Sequence, residues 1–478
     1  MNEKTKIKGG YIIAFDGAKH RYLREGELVY QGNTIIYVGR KYEGEVDKTI
    51  DAQEKVVSPG FVCTHAHLAA SPLDRSFIED RGSPQFYYSG LYEYLPILRE
   101  VMDPQMRQVC LAYSMGELLR GGTTTVVELG TNGQDLLSLI PLFGNRVYYG
   151  HMYRSGQWYT PDGRQVLYKW EEDGGKEATD QAFAFIQEHD GDCGGLLRCL
   201  LSPAQVDTCS EELLTKTQEQ AKKRGLPVTL HTSQSVNEFQ EMLRRHGKTP
   251  VAWLRNIGFL QQNVILGHAI IIGGASWTNY PAGDLEIIAE SGCSVAHSPW
   301  VFGRRGIAME SFFRYQRAGI NMSLGTDTCP QSMIQAMRWA AVLSKLVERR
   351  AESTVARDVF NAATLWGAKA LGREDLGRLC PGAKADIVLF SGRSMNMVPL
   401  RDPVKNIVYN AEMEDVESVI VGGKIVVQEG RLKGVDESEL THKLQDAGSR
   451  MWPRMAAHDR AGRSVDELSP MSFDLWEG

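Results

Sequence analysis

The chain lacks a CxxC pair: its 8 cysteines, Cys63, Cys110, Cys193, Cys199, Cys209, Cys293, Cys329 and Cys380, are scattered. That spacing favours reduced thiols over a thiolate zinc site or a disulfide scaffold. No stretch is apolar for long enough to span a bilayer, so no membrane association is expected. There is no concentrated basic run and the net charge is −6, which argues against nucleic acid as the partner. Neither an internal repeat nor a low-complexity segment occurs. The opening Met1-Asn2-Glu3-Lys4-Thr5-Lys6 carries no apolar core of an export signal, so a cytoplasmic location is expected. What remains is globular, with 42% hydrophobic and 23% charged residues in 478. A small molecule, with water as co-substrate, is the expected partner; association of the chain with itself stays open.

That length suits a large barrel and a smaller companion domain. Eight short apolar or β-branched runs alternate with helical patterns: Val56 to Cys63, Thr123 to Glu128, Arg146 to Met152, Leu196 to Leu201, Pro227 to Leu230, Val264 to Gly267, Cys293 to Ala296 and Ile320 to Leu324. Helix signals lie between them. Ser210 precedes the acidic turn Glu211-Glu212, Lys222-Lys223-Arg224 precedes Gly225, and Glu310 to Arg317 ends before Gly319. The repeated unit predicts an α/β fold, a (β/α)8 TIM barrel, over residues 57–372. Residues 1–56 and 373–432 read as short strands and predict a small composite β-sandwich made from both ends of the chain. Residues 433–478 read as a helix and a polar tail.

In such a barrel, reactive groups stand at the C-terminal ends of the strands. The first strand ends in His65-Ala66-His67, whose imidazoles share a face because strand side chains alternate. The fifth ends in His231, the sixth in His268, the seventh in His297 and the eighth in Asp327. Five of the 11 histidines therefore fall at one rim. His151 ends the third strand without an evident role. His20, His189, His246, His442 and His458 lie in polar or helical contexts and are expected at the surface. Three neutral imidazoles and a carboxylate from the rim set would hold one divalent metal ion, with zinc the first expectation and iron, manganese or cobalt the alternatives. Such an ion lowers the pKa of water to about 7, which implies hydrolysis.

Five ordered motifs resemble the metal-dependent amidohydrolase superfamily, and within it the cytosine deaminase and triazine chlorohydrolase branch. They are Pro59-Gly60-Phe61-Val62-Cys63-Thr64-His65-Ala66-His67, Gly121-Gly122-Thr123-Thr124-Thr125, Val295-Ala296-His297-Ser298-Pro299, Leu324-Gly325-Thr326-Asp327 and Pro381-Gly382-Ala383-Lys384-Ala385-Asp386. The resemblance implies metal ligation by His65, His67, His231 and Asp327. It implies that Asp327 also moves the proton, and that His268 hydrogen-bonds the activated water or the substrate. Relatives with two metals carry a fourth-strand lysine that Leu196 to Gln205 lacks, so a single ion is expected.

Three departures bear on substrate. Deaminases place a proton-shuttling glutamate three residues after the fifth-strand histidine, where this chain has Gln234. An amide cannot shuttle protons but can orient a carbonyl or amide. Ala204 stands where many deaminases have a substrate-binding histidine, and Trp300-Val301-Phe302 replaces a polar asparagine. Phe86, Tyr87 and Tyr88, with Tyr92 and Tyr94, supply aromatic groups that either wall the pocket or pack the loop.

The leading expectation is hydrolysis of a carbon–nitrogen bond in an amide, urea, carbamate-like compound or cyclic amidine of aryl or N-alkyl type. Asp327, His268 and Gln234 would act in the reaction. Gln234, His268, Trp300, Phe86, Tyr87 and Tyr88 would contact substrate. The alternatives are an aminohydrolase or chlorohydrolase of an aromatic heterocycle and, from another class, a scaffold without catalysis.

Overall fold

A computed structural model describes residues 3–77, 83–87 and 89–476. Eight parallel strands form the central sheet: β1 (Phe61–Ala66), β2 (Thr123–Gly130), β3 (Arg146–Tyr153), β4 (Leu197–Pro203), β5 (Val228–Thr232), β6 (Val264–His268), β7 (Ser294–His297) and β8 (Asn321–Leu324). The sheet closes on itself just past β8. Asp327 N donates to the His65 carbonyl at 3.0 Å, and His67 N donates to the Asp327 carbonyl at 2.7 Å. The result is the expected (β/α)8 barrel.

Alternation along the strands divides the apolar residues. Val62, Val127, Leu200, Ile265 and Ala296 make a cluster inside the barrel, whereas their neighbours Val126, Leu201, Val264 and Val295 join the larger core under the helices. Both faces are buried, so the strands read as continuous apolar runs. The helix Glu211–Arg224 starts at Ser210, whose Oγ accepts from Leu213 N, and stops at Gly225 with φ 66°. The helix expected from Glu310 is Phe312–Arg317, two residues later, because Ser311 supplies the cap by accepting from Arg314 N.

The run Val56 to Cys63 is two strands rather than one. Lys55–Pro59 pairs antiparallel with Ile387–Ser391 outside the barrel, and β1 begins at Phe61. The chain crosses between sheets at Gly60, where a Cβ would lie 2.1 Å from Thr124 Oγ1. A seven-stranded sheet holds Tyr11–Phe15, His20–Arg24 and Lys55–Pro59 from the N-terminal part beside Ile387–Ser391, Val416–Val421, Lys424–Gln428 and Arg431–Leu432. It faces a four-stranded sheet of Lys4–Lys8, Glu27–Gln31, Thr34–Gly39 and Lys48–Asp51 across a core containing Ile7, Leu28, Ile35, Val57, Ile387 and Ile420.

This sandwich is pinned to the barrel by a buried ion pair. Arg146 at the start of β3 donates through Nε and Nη2 to the two Asp386 oxygens, each at 3.1 Å, and Gly422 N adds a bond to Oδ1 at 2.7 Å. The helix Glu437–Met451 packs on Pro104–Arg120, with Arg120 Nη1 bonded to Glu437 at 2.7 Å. Of the histidines expected at the surface, His246, His442 and His458 are exposed. His189 is buried with Asp192 at 2.9 Å, and His20 is half-buried beside Thr364 at 3.2 Å. Both lie where one element covers another. Among the described residues no helix is long and apolar enough to cross a membrane.

Candidate functional site

β1 delivers His65 and His67, β5 His231 and β6 His268, while Asp327 follows β8. All five meet at one end of the barrel. His65 fits because its neighbours are small: a Cβ on Gly267 would lie 2.9 Å from its Cε1, and one on Gly325 would lie 2.6 Å from its Cβ. His268 (φ 79°) and Asp327 (φ 60°) adopt left-handed backbone conformations. Such conformations are costly for non-glycine residues and cluster at functional sites.

His67 Nδ1 lies 2.8 Å from the Leu129 carbonyl and His231 Nδ1 lies 2.7 Å from the Ala204 carbonyl. A carbonyl only accepts, so both rings carry their proton on Nδ1. Burial keeps the His231 ring neutral, so its Nε2 is a lone pair, and it lies 3.0 Å from His67 Nε2. Asp327 Oδ1 stands 3.7 Å from His67 Nε2 and 4.0 Å from His65 Nε2, and Oδ2 stands 3.9 Å from His268 Nε2. His65 is fully buried, yet neither ring nitrogen has a hydrogen-bond partner.

Two imidazole Nε2 atoms 3.0 Å apart, a buried imidazole with no partner among the described residues and a carboxylate within 4.0 Å make a converging donor set. They fit a divalent cation among them. The backbone carbonyls that fix the two tautomers are the outer partners such ligands need. Two overlapping donor groups meet this requirement, His65 with His67 and Asp327, and His65 with His231 and His268.

Burial sets the charge states. It holds His65 and His268 well below the ordinary imidazole range, with the neighbouring histidines adding to the effect, and brings His231 down to about 3. These rings are therefore neutral and able to ligate. Burial raises the Asp327 carboxyl, and His67 opposes that shift. His297 is also neutral, at about 3 through burial. It does not line the cavity.

A cavity of about 370 Å³ opens over this cluster and is bordered by His67, His231, His268, Asp327, Gln234 and Gln205. That volume suits a small organic ligand. Gln234 is buried, its backbone N donates to Glu238 Oε2 at 3.2 Å, and its side-chain Nε2 has no partner among the described residues. Ser235 caps the following helix and meets the Tyr92 hydroxyl at 2.7 Å, tying the segment after β1 to the end of β5.

Tyr87, Tyr94, Val301 and Phe302 border the cavity. Phe86 does not: it packs on Tyr92 at 5.5 Å in a cluster with Trp158, because Tyr87 turns left-handed at φ 50° and sends successive side chains apart. Trp300 does not line it either. The short helix Pro299–Gly303 turns Trp300 toward Trp339, 5.2 Å away, and leaves Val301 and Phe302 inward. Tyr88 lies outside the described residues. His151 sits beside Tyr149 with 3.3 Å to its hydroxyl, away from the cavity. The sequence reading missed Gln205, Arg99, Arg154 and Trp277, all at the cavity wall. Arg154, immediately after β3, carried a usable signal.

A 5'-deoxyadenosine deaminase of Methanosarcina mazei is 27% identical over 453 residues, covering 94% of this chain and 98% of the relative. A 5-methylthioadenosine/S-adenosylhomocysteine deaminase of Pelotomaculum thermopropionicum is 26% identical over 93% of this chain and 98% of the relative. The fold is shared with a zinc-bound adenosine deaminase of Xanthomonas campestris at TM-score 0.80 and 22% identity, covering 94% of this chain and 98% of the other. It is shared too with the zinc complex of an Arthrobacter aurescens atrazine chlorohydrolase at TM-score 0.76 and 21% identity, covering 93% and 100%. Residues 56–426, which contain the barrel and all the side chains gathered at its rim, match the family model, and the chain belongs to the amidohydrolase family.

Proposed function

We propose that the protein hydrolyses a carbon–nitrogen bond in a small molecule, with one divalent ion, zinc by preference, held by His65, His67, His231 and Asp327. The observation that carries this reading is the pair of Nε2 atoms of His67 and His231 at 3.0 Å, with Asp327 3.7 Å from His67, all bordering a ligand-sized cavity and backed by a buried His65 whose ring nitrogens have no partner among the described residues. When bound, such an ion supplies water acidified to a pKa of about 7 and a Lewis acid for the substrate oxygen.

The chain's own groups do the rest. Asp327, which borders the cavity with Oδ1 3.7 Å from His67 Nε2 and Oδ2 3.9 Å from His268 Nε2, takes a proton from the attacking water and returns it to the departing nitrogen. His268 borders the cavity with Nε2 3.9 Å from Asp327 Oδ2, which places it to donate a hydrogen bond to the oxygen on which charge develops. Gln234 has an uncommitted amide and orients the carbonyl or amidine. Tyr87, Tyr94 and Phe302 supply an apolar wall. This combination suits an amide, urea, carbamate-like compound or cyclic amidine.

A second reading, an aminohydrolase or chlorohydrolase of an aromatic heterocycle, is favoured by what the relatives are called: 5'-deoxyadenosine deaminase and atrazine chlorohydrolase. It needs a proton path that does not pass through Gln234. A panel of aryl ureas, amides, carbamates and amino- or chloro-heterocycles, read by product mass with zinc-loaded protein, tests both. Release of an amine supports the first reading, and release of ammonia or chloride from a ring supports the second. A loaded protein that cleaves none of them contradicts both.

A further inference from the structure

Two guanidiniums border the cavity with no carboxylate paired to them among the described residues. Arg154 directly follows β3, and Arg99 stands on the helix Tyr94–Val101 beside Leu95 and Leu98, which share the same wall. Other arginines at least partly buried in the fold are engaged by carboxylates, Arg146 by Asp386, Arg338 by Glu412 and Arg373 by Asp375. Among the described residues Arg99 feels no carboxylate at all. Among the described residues the one carboxylate acting on Arg154 is Glu171, whose Oε1 already accepts from Gln157 Nε2 at 2.9 Å.

Arg154 Nη1 is buried with no hydrogen-bond partner. Arg99 is pushed down to about 9 by burial and by the positive charge of Arg154. Arg107 Nη2 donates to the Arg99 carbonyl at 3.1 Å, fixing the helix that carries Arg99. Two like charges on a largely apolar wall destabilise the ligand-free protein. They do so in a chain whose net charge is −6, so general surface basicity does not account for them.

Resting on the hydrolase reading above, we propose that Arg99 and Arg154 form an anion subsite and that the molecule hydrolysed carries a carboxylate, separate from the bond cut, on an apolar or aromatic body. A guanidinium presents a planar fork of donors that matches a carboxylate. The site would thus hold an acid at the arginines while the scissile group reaches His268, Gln234 and Asp327.

The test uses zinc-loaded protein and two probes without a carbon–nitrogen bond, 3-phenylpropionate and 3-phenylpropanol, titrated calorimetrically. The acid is expected to bind at least about tenfold tighter than the alcohol. R99M and R154M, which keep an unbranched apolar stem and remove the guanidinium, are expected to reduce that ratio to below about threefold. Ligand-free R154M is expected to melt no lower than wild type, since an unpaired charge has been removed. Equal binding of the two probes overturns the subsite. So does a preference that survives both substitutions, because the acid would then be sitting on the metal. A lower Tm for R154M with the preference intact assigns Arg154 a structural role and also overturns it. A protein that cleaves carbon–nitrogen bonds yet shows no acid preference keeps the proposed function and loses the subsite; acid preference without any cleavage does the reverse.

Discussion

Replacing Gln234 separates what a side chain does for the fold from what it does for the reaction. Among the described residues its side-chain Nε2 is buried and unpartnered, while its backbone N donates to Glu238 Oε2 at 3.2 Å. Q234A therefore breaks no intramolecular hydrogen bond and removes a side chain that faces a cavity already open. Unfolding free energy should change by less than about 1 kcal/mol. For the reaction the loss is larger. A hydrogen bond to a group developing charge is worth about 1.5–3 kcal/mol, so kcat/KM should fall roughly 10- to 150-fold. The assay is steady-state kinetics on the best substrate of the panel, alongside urea denaturation of the same preparations. Q234E provides the complementary arm: a carboxyl there can move a proton, so ammonia release from amino-heterocycles should rise relative to urea cleavage. The reasoning is refuted if Q234A leaves kcat/KM within about twofold of wild type, or loses several kcal/mol of stability along with its activity.

Two further outcomes concern the fold. D386N leaves Arg146 buried and unpaired at the junction of barrel and sandwich and should cost about 3–5 kcal/mol in urea denaturation; a cost below about 1 kcal/mol contradicts this pairing. His20 is held down to about 4 by burial and the nearby Arg378, against an unfolded value of about 6.5, so its contribution is intact above pH 6.5 and fades as pH falls toward 4. H20Q should reduce the stability lost between pH 7 and pH 4 by up to about 3 kcal/mol, and identical pH profiles for the two proteins refute that assignment.

Much of this architecture was legible in the residues because buried parallel strands are apolar on both faces and stand out against the polar helix surfaces. The rim histidines were legible for the same reason: once a strand end is located, His65, His231, His268 and Asp327 follow from alternation and barrel geometry. The failures have physical causes. Val56 to Cys63 reads as one strand because both of its halves are fully buried, each in a different sheet, and only Pro59-Gly60 marks the crossing. Which aromatic residue meets the cavity depends on a left-handed turn at Tyr87 and on a helical turn at Pro299, neither of which composition reveals. That Arg99 and Arg154 go unpaired is a fact about tertiary neighbours, since a lone arginine in a sequence carries no sign of whether a carboxylate awaits it.

The central claim is that one cation joins side chains from β1, β5 and the end of β8. Anomalous diffraction from crystals grown with zinc, collected on both sides of the zinc edge, tests it most directly. The account expects one strong peak per chain, within coordination distance of about 2.0–2.2 Å of the His65, His67 and His231 imidazoles and the Asp327 carboxylate. A barrel with no peak at that position, or with zinc bound elsewhere while these four side chains keep their present contacts, would contradict it.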